Sequence, residues 1–352
     1  MKIVVLPGDA IGPEITAVTV QILARLNHLY ALDLDIEELP IGLDSLRQFG
    51  TSLTDEVLAT VREAQGVVLA PLSTYDYPAV EQGGINPSGT IRKALDLYAN
   101  IRPARNYDGV ETRGQGIDLV IVRENTEGFY ADRNLFQGMG EFMPSADMAI
   151  SLRRITRHCC ERIARSACDL AMRRRQHLTL VHKANVLRVS DGLFRDTVLQ
   201  VVGDYPDLEV DEMLIDAMAA ALVRRPDDFD VVVTTNMYGD ILSDLAAEMT
   251  GGLGLGGALN AGQAHAVAQA SHGSAPDIGG QNRANPTALL LSTAMLLAWL
   301  GNQHEREALC QAAQALENAV ARTLAKAQCH TADLGGSTGT DQFGAAVLAA
   351  LD

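Results

Sequence analysis

Two acidic residues stand four positions apart in the segment NMYGDILSDLAAEM, at Asp240 and Asp244. If the segment is helical, both carboxylates project from one face near its beginning, because residues four apart share a helix face. Two carboxylates without a neighbouring His or Cys suit a hard cation such as Mg²⁺ or Mn²⁺ rather than zinc. Acids in a first helical turn also complement the helix dipole, so the pair alone indicates either a metal site or helix stabilisation.

Three arginines, Arg92, Arg102 and Arg123, stand where strands or helices are expected to end. A guanidinium group binds a carboxylate through two parallel hydrogen bonds, so three converging arginines would bind a substrate with two or more carboxylates. Sequence alone does not show convergence, and each arginine by itself is typical of a surface ion pair.

Three further residues are candidates for proton transfer or metal binding. Lys183 follows the apolar run LTLVH, a position where burial can lower a lysine pKa towards neutrality. Tyr130, in GFY, is a phenol that can donate a proton, although either residue alone is also compatible with a structural role. Asp216 lies on an otherwise apolar predicted helix, so it needs a metal or a cationic partner.

The segment SHGSAPDIGGQNRANP, from Ser271 to Pro286, surrounds His272 with small residues that let a ligand approach the backbone closely. A carboxylate at Asp277 would accept hydrogen bonds from a ribose 2′-hydroxyl and repel a 2′-phosphate, which predicts NAD rather than NADP. The run from Gly252 to Gly257 matches G-x-G-x-x-G, but no strand feeds directly into it. A Rossmann phosphate turn is therefore not expected there.

The elements that must position these residues alternate between short β-branched runs and longer helical patterns, which predicts an α/β fold with largely parallel, buried strands. The expected strands are KIVVL, GVVLAP, DLVIVREN, LTLVHK and DVVVTTN. The expected helices are Pro13 to Leu29, the segment after Pro87, Arg153 to Arg175, Met213 to Val223, Asp240 to Met249 and Asn285 to Leu300. The Arg-rich helix is interpreted as a solvated face. Because no Pro/Ser-rich linker separates two halves, two domains are expected to be interleaved.

Composition narrows the class of protein. A formal net charge of −16 argues against nucleic-acid binding, which requires a basic surface. The longest apolar stretch falls short of the roughly 20 residues that span a bilayer, and the first apolar run is too short for a signal peptide. Five cysteines without C-x-x-C spacing suit neither a disulfide framework nor a thiolate zinc site. These features predict a cytoplasmic protein that binds neither membranes nor nucleic acids.

The order of the motifs resembles the β-decarboxylating dehydrogenases that act on isocitrate, homoisocitrate, 3-isopropylmalate or tartrate and malate. The matching motifs are PGDAIGPE, RKALDLYANIRP, VRENTEGFY, VHKANVL, DGLF, NMYGDILSDLAA, HGSAPDIGG, ANP and DLGGSTGT. The resemblance implies an isocitrate/isopropylmalate dehydrogenase-like fold: two interleaved α/β domains without the Rossmann crossover, in a homodimer with shared active sites. The large domain, with the NAD-binding loop, would be 1–98 plus 252–352, and the small domain, with the dimer interface, 99–251.

The resemblance also implies roles for individual residues. Substrate would be bound by Arg92, Arg102, Arg123, Asn86 and Ser88. Catalysis would use Tyr130 and Lys183, and Mg²⁺ or Mn²⁺ would be held by Asp216, Asp240 and Asp244, with Lys183 and Asp216 supplied by the neighbouring subunit. The adenosine of NAD would be bound by His272, Gly273, Ser274, Ala275, Pro276, Asp277, Ile278 and Asn285.

The residues before Arg92 contact the C3 substituent in the family, and here Asn86 and Ser88 are polar where isopropylmalate enzymes carry an apolar platform around Ser88 and Gly89. We therefore expect NAD- and metal-dependent oxidative decarboxylation of a 3-substituted malate of the isocitrate or homoisocitrate type. The alternatives are 3-isopropylmalate and tartrate or D-malate dehydrogenases. Two other classes are a non-catalytic regulatory subunit and a Mg²⁺-dependent hydrolase or lyase.

One departure from the family lies in PGDAIG, where Ala10 occupies a position usually held by Gly. If the turn requires a positive φ at this position, alanine would cost roughly a kcal/mol or more.

Overall fold

The apolar runs of the sequence become buried strands in a computed structural model, which describes residues 1–130, 135 and 137–351. Within these residues the strands are β1 (Lys2–Leu6), β2 (Asp35–Glu38), β3 (Gly66–Leu69), β4 (Ala99–Arg105), β5 (Asp118–Glu124), β6 (Glu141–Ser145), β7 (Met148–Ser151), β8 (His177–His182), β9 (Glu209–Leu214), β10 (Val231–Thr234), β11 (Leu259–Ala261) and β12 (Ala266–Gln269).

Helices connect most of these strands, as the alternating pattern predicts. In the described part of the chain they are α1 (Gly12–Leu29), α2 (Gly42–Phe49), α3 (Asp55–Glu63), α4 (Pro87–Ala94), α5 (Arg157–Met172), α6 (Ser190–Val202), α7 (Ile215–Arg224), α8 (Asn236–Met249), α9 (Thr287–Gln303), α10 (Glu307–Leu324) and α11 (Thr340–Leu351). The predicted α/β class is confirmed.

The chain forms two units, each assembled from separate stretches of sequence. Unit 1 comprises Met1–Asp96, Asn106–Arg113 and Thr250–Asp352, and unit 2 comprises Leu97–Arg105 and Gly114–Met249. The chain passes from one unit to the other four times, which explains why no single linker in the sequence marks a domain boundary.

Unit 1 contains five strands in the order β2-β1-β3-β12-β11. Strand β1 pairs in parallel with β2 and β3, β3 pairs in parallel with β12, and β12 is antiparallel to β11. The side chains of β3, and all those of β1 except Lys2, are buried, which explains the continuous apolar runs. Helix α9 begins at Thr287 rather than at Asn285, whose Oδ1 accepts the Thr287 N–H at 3.0 Å.

Unit 2 contains five strands in the order β4-β5-β10-β8-β9, parallel except that β4 is antiparallel to β5. Alternate residues of β5 pack into two hydrophobic cores, one on each face of the sheet. Leu119 and Ile121 pack with α7 and α8, whereas Val120 and Val122 pack with α5 and α6. The sheet of unit 2 is therefore covered by helices on both faces.

Two further predicted helices begin later than expected, and one predicted absence is confirmed. Helix α5 begins at Arg157 and not at Arg153, because Thr156 caps it and its Oγ1 accepts the Cys159 N–H at 3.3 Å. Met213 belongs to β9, and the helix predicted from it begins at Ile215. The G-x-G-x-x-G run follows helix α8, which confirms that no strand leads into it.

The surface of unit 2 includes the antiparallel hairpin of β6 and β7, whose residues are all exposed. All five cysteines are free. Among the described helices, none combines the length and apolar character needed to cross a membrane.

Candidate functional site

The carboxyl end of β5 and the neighbouring strand β4 bring two arginines to one face of the unit 2 sheet. Arg123 lies opposite Asn100 in the antiparallel pairing, and Arg102 is two residues beyond Asn100. Because side chains alternate along a strand, these three residues point to the same side. Arg123 is 2% exposed and Arg102 is 8% exposed, so both cations are held in a poorly solvated position.

Helix α8 lies close enough to β5 to place a carboxylate against Arg123, and Gly239 permits this approach. A Cβ added at Gly239 would stand 2.6 Å from the Cβ of Arg123, closer than real Cβ contacts allow. The next residue, Asp240, bonds through Oδ1 to Nη1 of Arg123. Glycine at this position therefore fixes the separation between the acidic helix and the arginine-bearing strand.

Hydrogen bonds join the side chains around Arg123 into one network. Arg123 donates from Nε to Asn236 Oδ1 at 2.8 Å and from Nη2 to the phenol oxygen of Tyr130 at 2.6 Å. The Tyr130 hydroxyl donates in turn to Asp240 Oδ2 at 3.0 Å. The guanidinium of Arg123 also lies 5.5 Å from the centre of the Tyr130 ring. The phenol is thereby oriented by one cation and one carboxylate.

Arg102 extends this network to the second acid of α8. Its Nη1 lies 3.1 Å from Asp240 Oδ1 and 3.3 Å from Asp244 Oδ1, and it donates to Ser243 Oγ at 2.8 Å. Its Nε donates to Asn100 Oδ1 at 2.6 Å. We call the set Asn100, Arg102, Arg123, Tyr130, Asp240 and Asp244 the Arg123 cluster.

Charge balance and burial set the electrostatics of the Arg123 cluster. Burial, together with the neighbouring Arg123, lowers the pKa of Arg102 to about 10. Burial also raises the pKa of Asp244, although Arg102 opposes that change. The side chains of Asp240 and Asp244 are 41% and 50% exposed, so their carboxylate oxygens have an open side. The cluster can thus bind anionic and cationic groups at adjacent positions.

Lys183 and Asp216 form a separate ion pair in the single chain. Lys183 follows β8, and its Nζ donates to Asp216 Oδ1 in the first turn of α7. This hydrogen bond lowers the pKa of Asp216, whose side chain is 67% exposed. No group of three or more His, Cys, Asp or Glu able to hold a metal is found within the described residues. Asp216, Asp240 and Asp244 therefore do not form a three-acid site inside one chain.

A buried ion pair that the sequence did not reveal holds the backbone at Lys183. Asp191 is fully buried; its Oδ2 accepts the Lys183 N–H at 2.6 Å, and its Oδ1 bonds to Arg153. The guanidinium of Arg153 lies 5.6 Å from the ring of Phe129 and 5.2 Å from that of Tyr238. The pair thus joins the segments that carry Tyr130, Lys183 and Asp240.

The interpretation of the Arg-rich stretch as a solvated face is wrong at Arg153, whose side chain is only 8% exposed. Its partner Asp191 lies 38 positions away. The composition of an Arg-rich segment does not indicate which distant acid one of its arginines will contact. The only available signal was the acid Asp191 in the motif DGLF.

In unit 1, helix α4 carries the third arginine together with one of the two predicted substrate residues. Ser88 and Arg92 are one turn apart, and both donate to Gln269 Oε1, at 3.2 Å and 3.1 Å. Asn86 is the N-cap of α4, and its Oδ1 accepts the Gly89 N–H at 3.1 Å. The structure therefore groups Ser88 with Arg92, adds Gln269, and gives Asn86 a capping role.

A cavity of about 330 Å³ in unit 1 is formed largely by the predicted adenosine loop. The predicted residues that line it are His272, Gly273, Ala275, Ile278 and Asn285. Further lining residues are Ile11, Leu253, Gly254, Arg283, Ala284, Ala332 and Asp333. Pro276 and Asp277 are exposed, whereas Ser274 is buried and its hydroxyl bonds to that of Ser73 at 2.8 Å. We call this the His272 cavity.

The imidazole of His272 presents an unmatched acceptor in this cavity. Its Nδ1 lies 2.9 Å from the carbonyl oxygen of Gly273, so Nδ1 carries the proton. Its Nε2 is buried and, within the described residues, has no hydrogen-bond partner. Burial lowers the pKa of His272, which favours the neutral ring. A ligand N–H donor would satisfy this nitrogen.

A buried acid that the sequence did not single out, Asp9, ties the loops of unit 1 together. Its carboxylate accepts the N–H of Leu43 at 2.7 Å, the N–H of Ser73 at 2.9 Å and the hydroxyl of Tyr77 at 2.5 Å. The next residue, Ala10, has φ of +53°, the positive value anticipated for this turn. These contacts fix the segment that reaches the His272 cavity at Ile11.

Known proteins are similar to this chain across nearly its whole length. A family model described as isocitrate/isopropylmalate dehydrogenase matches residues 2–347. The 3-isopropylmalate dehydrogenase of Sulfurisphaera tokodaii is 38% identical over 341 residues, which cover 97% of this chain and 96% of that protein. The isocitrate/homoisocitrate dehydrogenase of Thermus thermophilus is 40% identical over 353 residues, with coverage of 99% and 98%.

A solved structure of isocitrate dehydrogenase shares the fold of this chain. The crystal structure of isocitrate dehydrogenase from Methylococcus capsulatus superposes with a TM-score of 0.88 at 38% identity, and the match covers 99% of both chains. The fold is therefore that of isocitrate and isopropylmalate dehydrogenases, as the motif order predicts. The chain belongs to the isocitrate/isopropylmalate dehydrogenase family and is an oxidoreductase acting on CH–OH groups.

Proposed function

We propose that the protein catalyses the NAD- and divalent-metal-dependent oxidative decarboxylation of a 3-substituted malate of the isocitrate or homoisocitrate type. The Arg123 cluster is the observation that carries this proposal. Two buried guanidinium groups, two half-exposed carboxylates and an oriented phenol within one hydrogen-bonded network provide carboxylate binding, cation binding and a proton donor.

The carboxylates of the substrate would be bound by Arg92, Arg102 and Arg123, the three arginines to which the family resemblance gives this role. Burial strengthens such contacts, because a poorly solvated guanidinium gains more from an incoming carboxylate than one in water. Asp240 and Asp244 already offset part of the positive charge of Arg102. We expect the substrate carboxylates to replace some of these internal ion pairs.

The donor set fits Mg²⁺ or Mn²⁺, because Asp240 and Asp244 offer hard oxygen ligands with an exposed side. A third ligand, Asp216, would come from the second chain of a homodimer, together with Lys183. The cavity at His272, with its buried and unmatched Nε2, fits the adenine of a dinucleotide, which supplies N–H donors. When bound, the cation would supply a Lewis acid for the substrate oxygens, and the nicotinamide would supply the acceptor for the hydride from C2.

The residues of this chain would then move two protons. Lys183, with Asp216 beside it, would take the proton of the C2 hydroxyl as the alcohol becomes a ketone. The resulting β-keto acid loses carbon dioxide from C3. Tyr130 would protonate C3, because Arg123 and Asp240 hold its hydroxyl in a fixed direction. The buried Arg153–Asp191 pair would keep the Lys183 backbone in place.

A homodimer is supported by apolar side chains left exposed on unit 2. Val223 at the end of α7 and Ile241 on α8 are 60% and 57% exposed, and Met143 on the hairpin is 64% exposed. Large exposed apolar side chains are typical of association surfaces. Light scattering of the purified protein tests this: a mass of one chain would contradict the shared site.

NAD is proposed as the cofactor because Asp277, exposed in the loop, supplies a carboxylate suited to a ribose hydroxyl. Arg283, which lines the His272 cavity, is a cation that a phosphate could also contact. Measuring kcat/KM with NAD and with NADP shows whether the carboxylate of Asp277 or the cation of Arg283 determines the choice of cofactor. If NADP gives the higher kcat/KM, the role assigned to Asp277 is wrong. The five free cysteines suit the reducing cytoplasm, where we place the enzyme.

The polar groups on α4 support a polar C3 substituent, because Ser88 and Arg92 share a face without an apolar platform. The second candidate is 3-isopropylmalate, which is the substrate named for the Sulfurisphaera tokodaii relative. D-malate and tartrate, with smaller substituents, complete the set.

The deciding experiment measures NADH absorbance with isocitrate, homoisocitrate, 3-isopropylmalate, tartrate and D-malate, each with Mg²⁺ or Mn²⁺ and after chelation. We expect the highest kcat/KM for isocitrate or homoisocitrate and none without metal. Highest kcat/KM for 3-isopropylmalate would replace the first candidate by the second. Substrate loss without NADH would indicate a hydrolase or lyase, and inactivity of the folded dimer with every acid would indicate a regulatory subunit.

A further inference from the structure

One side-chain oxygen in unit 1 accepts three hydrogen bonds. Gln269, at the end of β12, receives at Oε1 the hydroxyl of Ser88 at 3.2 Å, Nη2 of Arg92 at 3.1 Å and Nδ2 of Asn260 at 3.2 Å. The donors come from α4 and β11, two elements distant in sequence. Arg92 Nη2 and Asn260 Nδ2 can only donate, so the glutamine must turn its oxygen and not its NH2 group towards them.

The chemistry of this acceptor differs from that around the other two arginines. Arg102 and Arg123 are bound by the carboxylates of Asp240 and Asp244. The contact from Gln269 to Arg92 uses a neutral oxygen, so it directs the guanidinium without cancelling its charge. A carboxylate in the same place would form an ion pair with Arg92 and compete with an anionic ligand.

We propose that Gln269 is a positioning residue for Arg92, which fixes the guanidinium through a neutral acceptor so that its charge is directed at a substrate carboxylate. This inference rests on the proposed function, because it takes Arg92 as a residue that binds the hydroxy acid. The other two contacts of Gln269 are also with neutral groups. Ser88 connects the amide to α4, and Asn260 connects it to β11.

The charge and the shape of the acceptor can be separated with two variants. Q269E keeps the length of the side chain and makes the acceptor anionic, whereas Q269M keeps the length and removes the acceptor. Q314E, on the exposed face of α10, is the matched control for adding one negative charge. Thermal unfolding of each protein as the assembled dimer checks that the fold is retained.

For Q269E we expect the KM of the hydroxy acid to rise tenfold or more, with kcat and the KM of NAD within threefold of the original values. Q269M should raise the same KM by a smaller factor, and Q314E should change neither constant. Combining Q269E with R92M tests whether Gln269 acts through Arg92. The KM of the double variant should equal that of R92M, because the two residues share one interaction.

Titration calorimetry with D-malate and Mg²⁺ measures the same effect without turnover. Weaker binding to Q269E than to the original protein, at least tenfold, supports the inference even if no acid in the panel is oxidised. If the original protein oxidises one of the acids while Q269E and Q269M keep its KM, the role of Gln269 is refuted and the proposed function stands. Additive effects of Q269E and R92M would refute it equally.

Discussion

The Arg123 cluster of unit 2 and the His272 cavity of unit 1 are built by different means. The cluster consists of four charged side chains, with Asn100 and Tyr130, that are joined by ion pairs and short hydrogen bonds. The cavity is formed largely by the small residues and backbone of loops, and its imidazole acceptor at His272 has no partner in the described chain.

This difference separates two tasks that one enzyme must perform. Groups that transfer protons must be held within a fraction of an ångström, which buried ion pairs on strands and helices achieve. A cofactor that enters and leaves at every turnover is better served by loops with an open acceptor. Substitutions in the cluster should therefore change kcat, and those in the loops should change stability or binding.

The largest effect is expected for Lys183→Met. Removing the amine that takes the hydroxyl proton should lower kcat by a factor of about 10² to 10⁴, the range typical of general bases. The initial rate of NADH formation measures this loss, and circular dichroism checks that the fold is kept. Lys326→Met, a change at an exposed lysine, is the control and should leave kcat unchanged. Equal rates for both variants would remove Lys183 from the mechanism.

A pH effect on stability is expected at Glu127, which is 1% exposed and lies beside the cluster. Its backbone carbonyl accepts Asn236 Nδ2 at 2.8 Å, and its carboxylate accepts the N–H and hydroxyl of Thr156. Burial raises the pKa of Glu127 from its ordinary value of 4.5 to about 7. The native state thus keeps a proton that the unfolded chain releases, so stability must fall as pH rises from 4.5 to 7.

Glu127→Gln removes this proton uptake while keeping the shape of the side chain. Relative to the original protein, the variant should gain on the order of 3 kcal/mol in free energy of unfolding at pH 8 and little at pH 4.5. Urea denaturation at the two pH values gives the difference directly. Glu248→Gln, exposed on α8, serves as the control. Parallel pH profiles for Glu127→Gln and the original protein would show that Glu127 is ionised throughout.

Gly239→Ala tests how closely α8 must approach β5. The added Cβ would stand 2.6 Å from the Arg123 Cβ and 3.2 Å from its Cα, so the helix carrying Asp240 has to move. We expect a loss of about 1–3 kcal/mol in stability, the usual cost of overpacking, together with a lower kcat. Gly192→Ala in α6, where nothing lies within 4 Å, should instead stabilise by up to about 1 kcal/mol. Equal outcomes for the two glycines would contradict the close approach.

Local chemistry explains which parts of the molecule the sequence could predict. Buried parallel strands show as apolar runs, and the spacing of Asp240 and Asp244 already places both on one helix face. The capping role of Asn86 was also readable, since Asn followed by Pro is typical of a helix start. The cap occupies Oδ1 of Asn86, and its assignment as a substrate residue stays a prediction.

Long-range contacts account for what the sequence could not show. Arg153 is buried because Asp191 and two aromatic rings from other segments surround it, and no periodicity links those positions. Gln269 gains its three donors only when α4 and β11 are brought to the end of β12. Glycine is needed at position 239 because α8 packs closely against Arg123 on β5, a contact between segments far apart in the sequence.

Ala10 gives the smallest expected effect and the sharpest test of strain in unit 1. Its φ of +53° is a conformation that alanine adopts only at a cost, while the neighbouring Asp9 anchors the turn through three hydrogen bonds. Ala10→Gly should relieve this strain and raise the free energy of unfolding by about 1 kcal/mol, less the extra freedom of glycine in the unfolded chain. Kinetic constants should stay unchanged.

The control for Ala10→Gly is Ala315→Gly in the middle of α10, which should destabilise by about 1 kcal/mol because glycine lowers helix propensity. Opposite signs for the same chemical change would show that backbone conformation, not composition, decides the outcome. Destabilisation at both positions would mean that unfolded-state entropy outweighs the strain at Ala10. The contrast between the Arg123 cluster and the loops of unit 1 would then rest on charge alone.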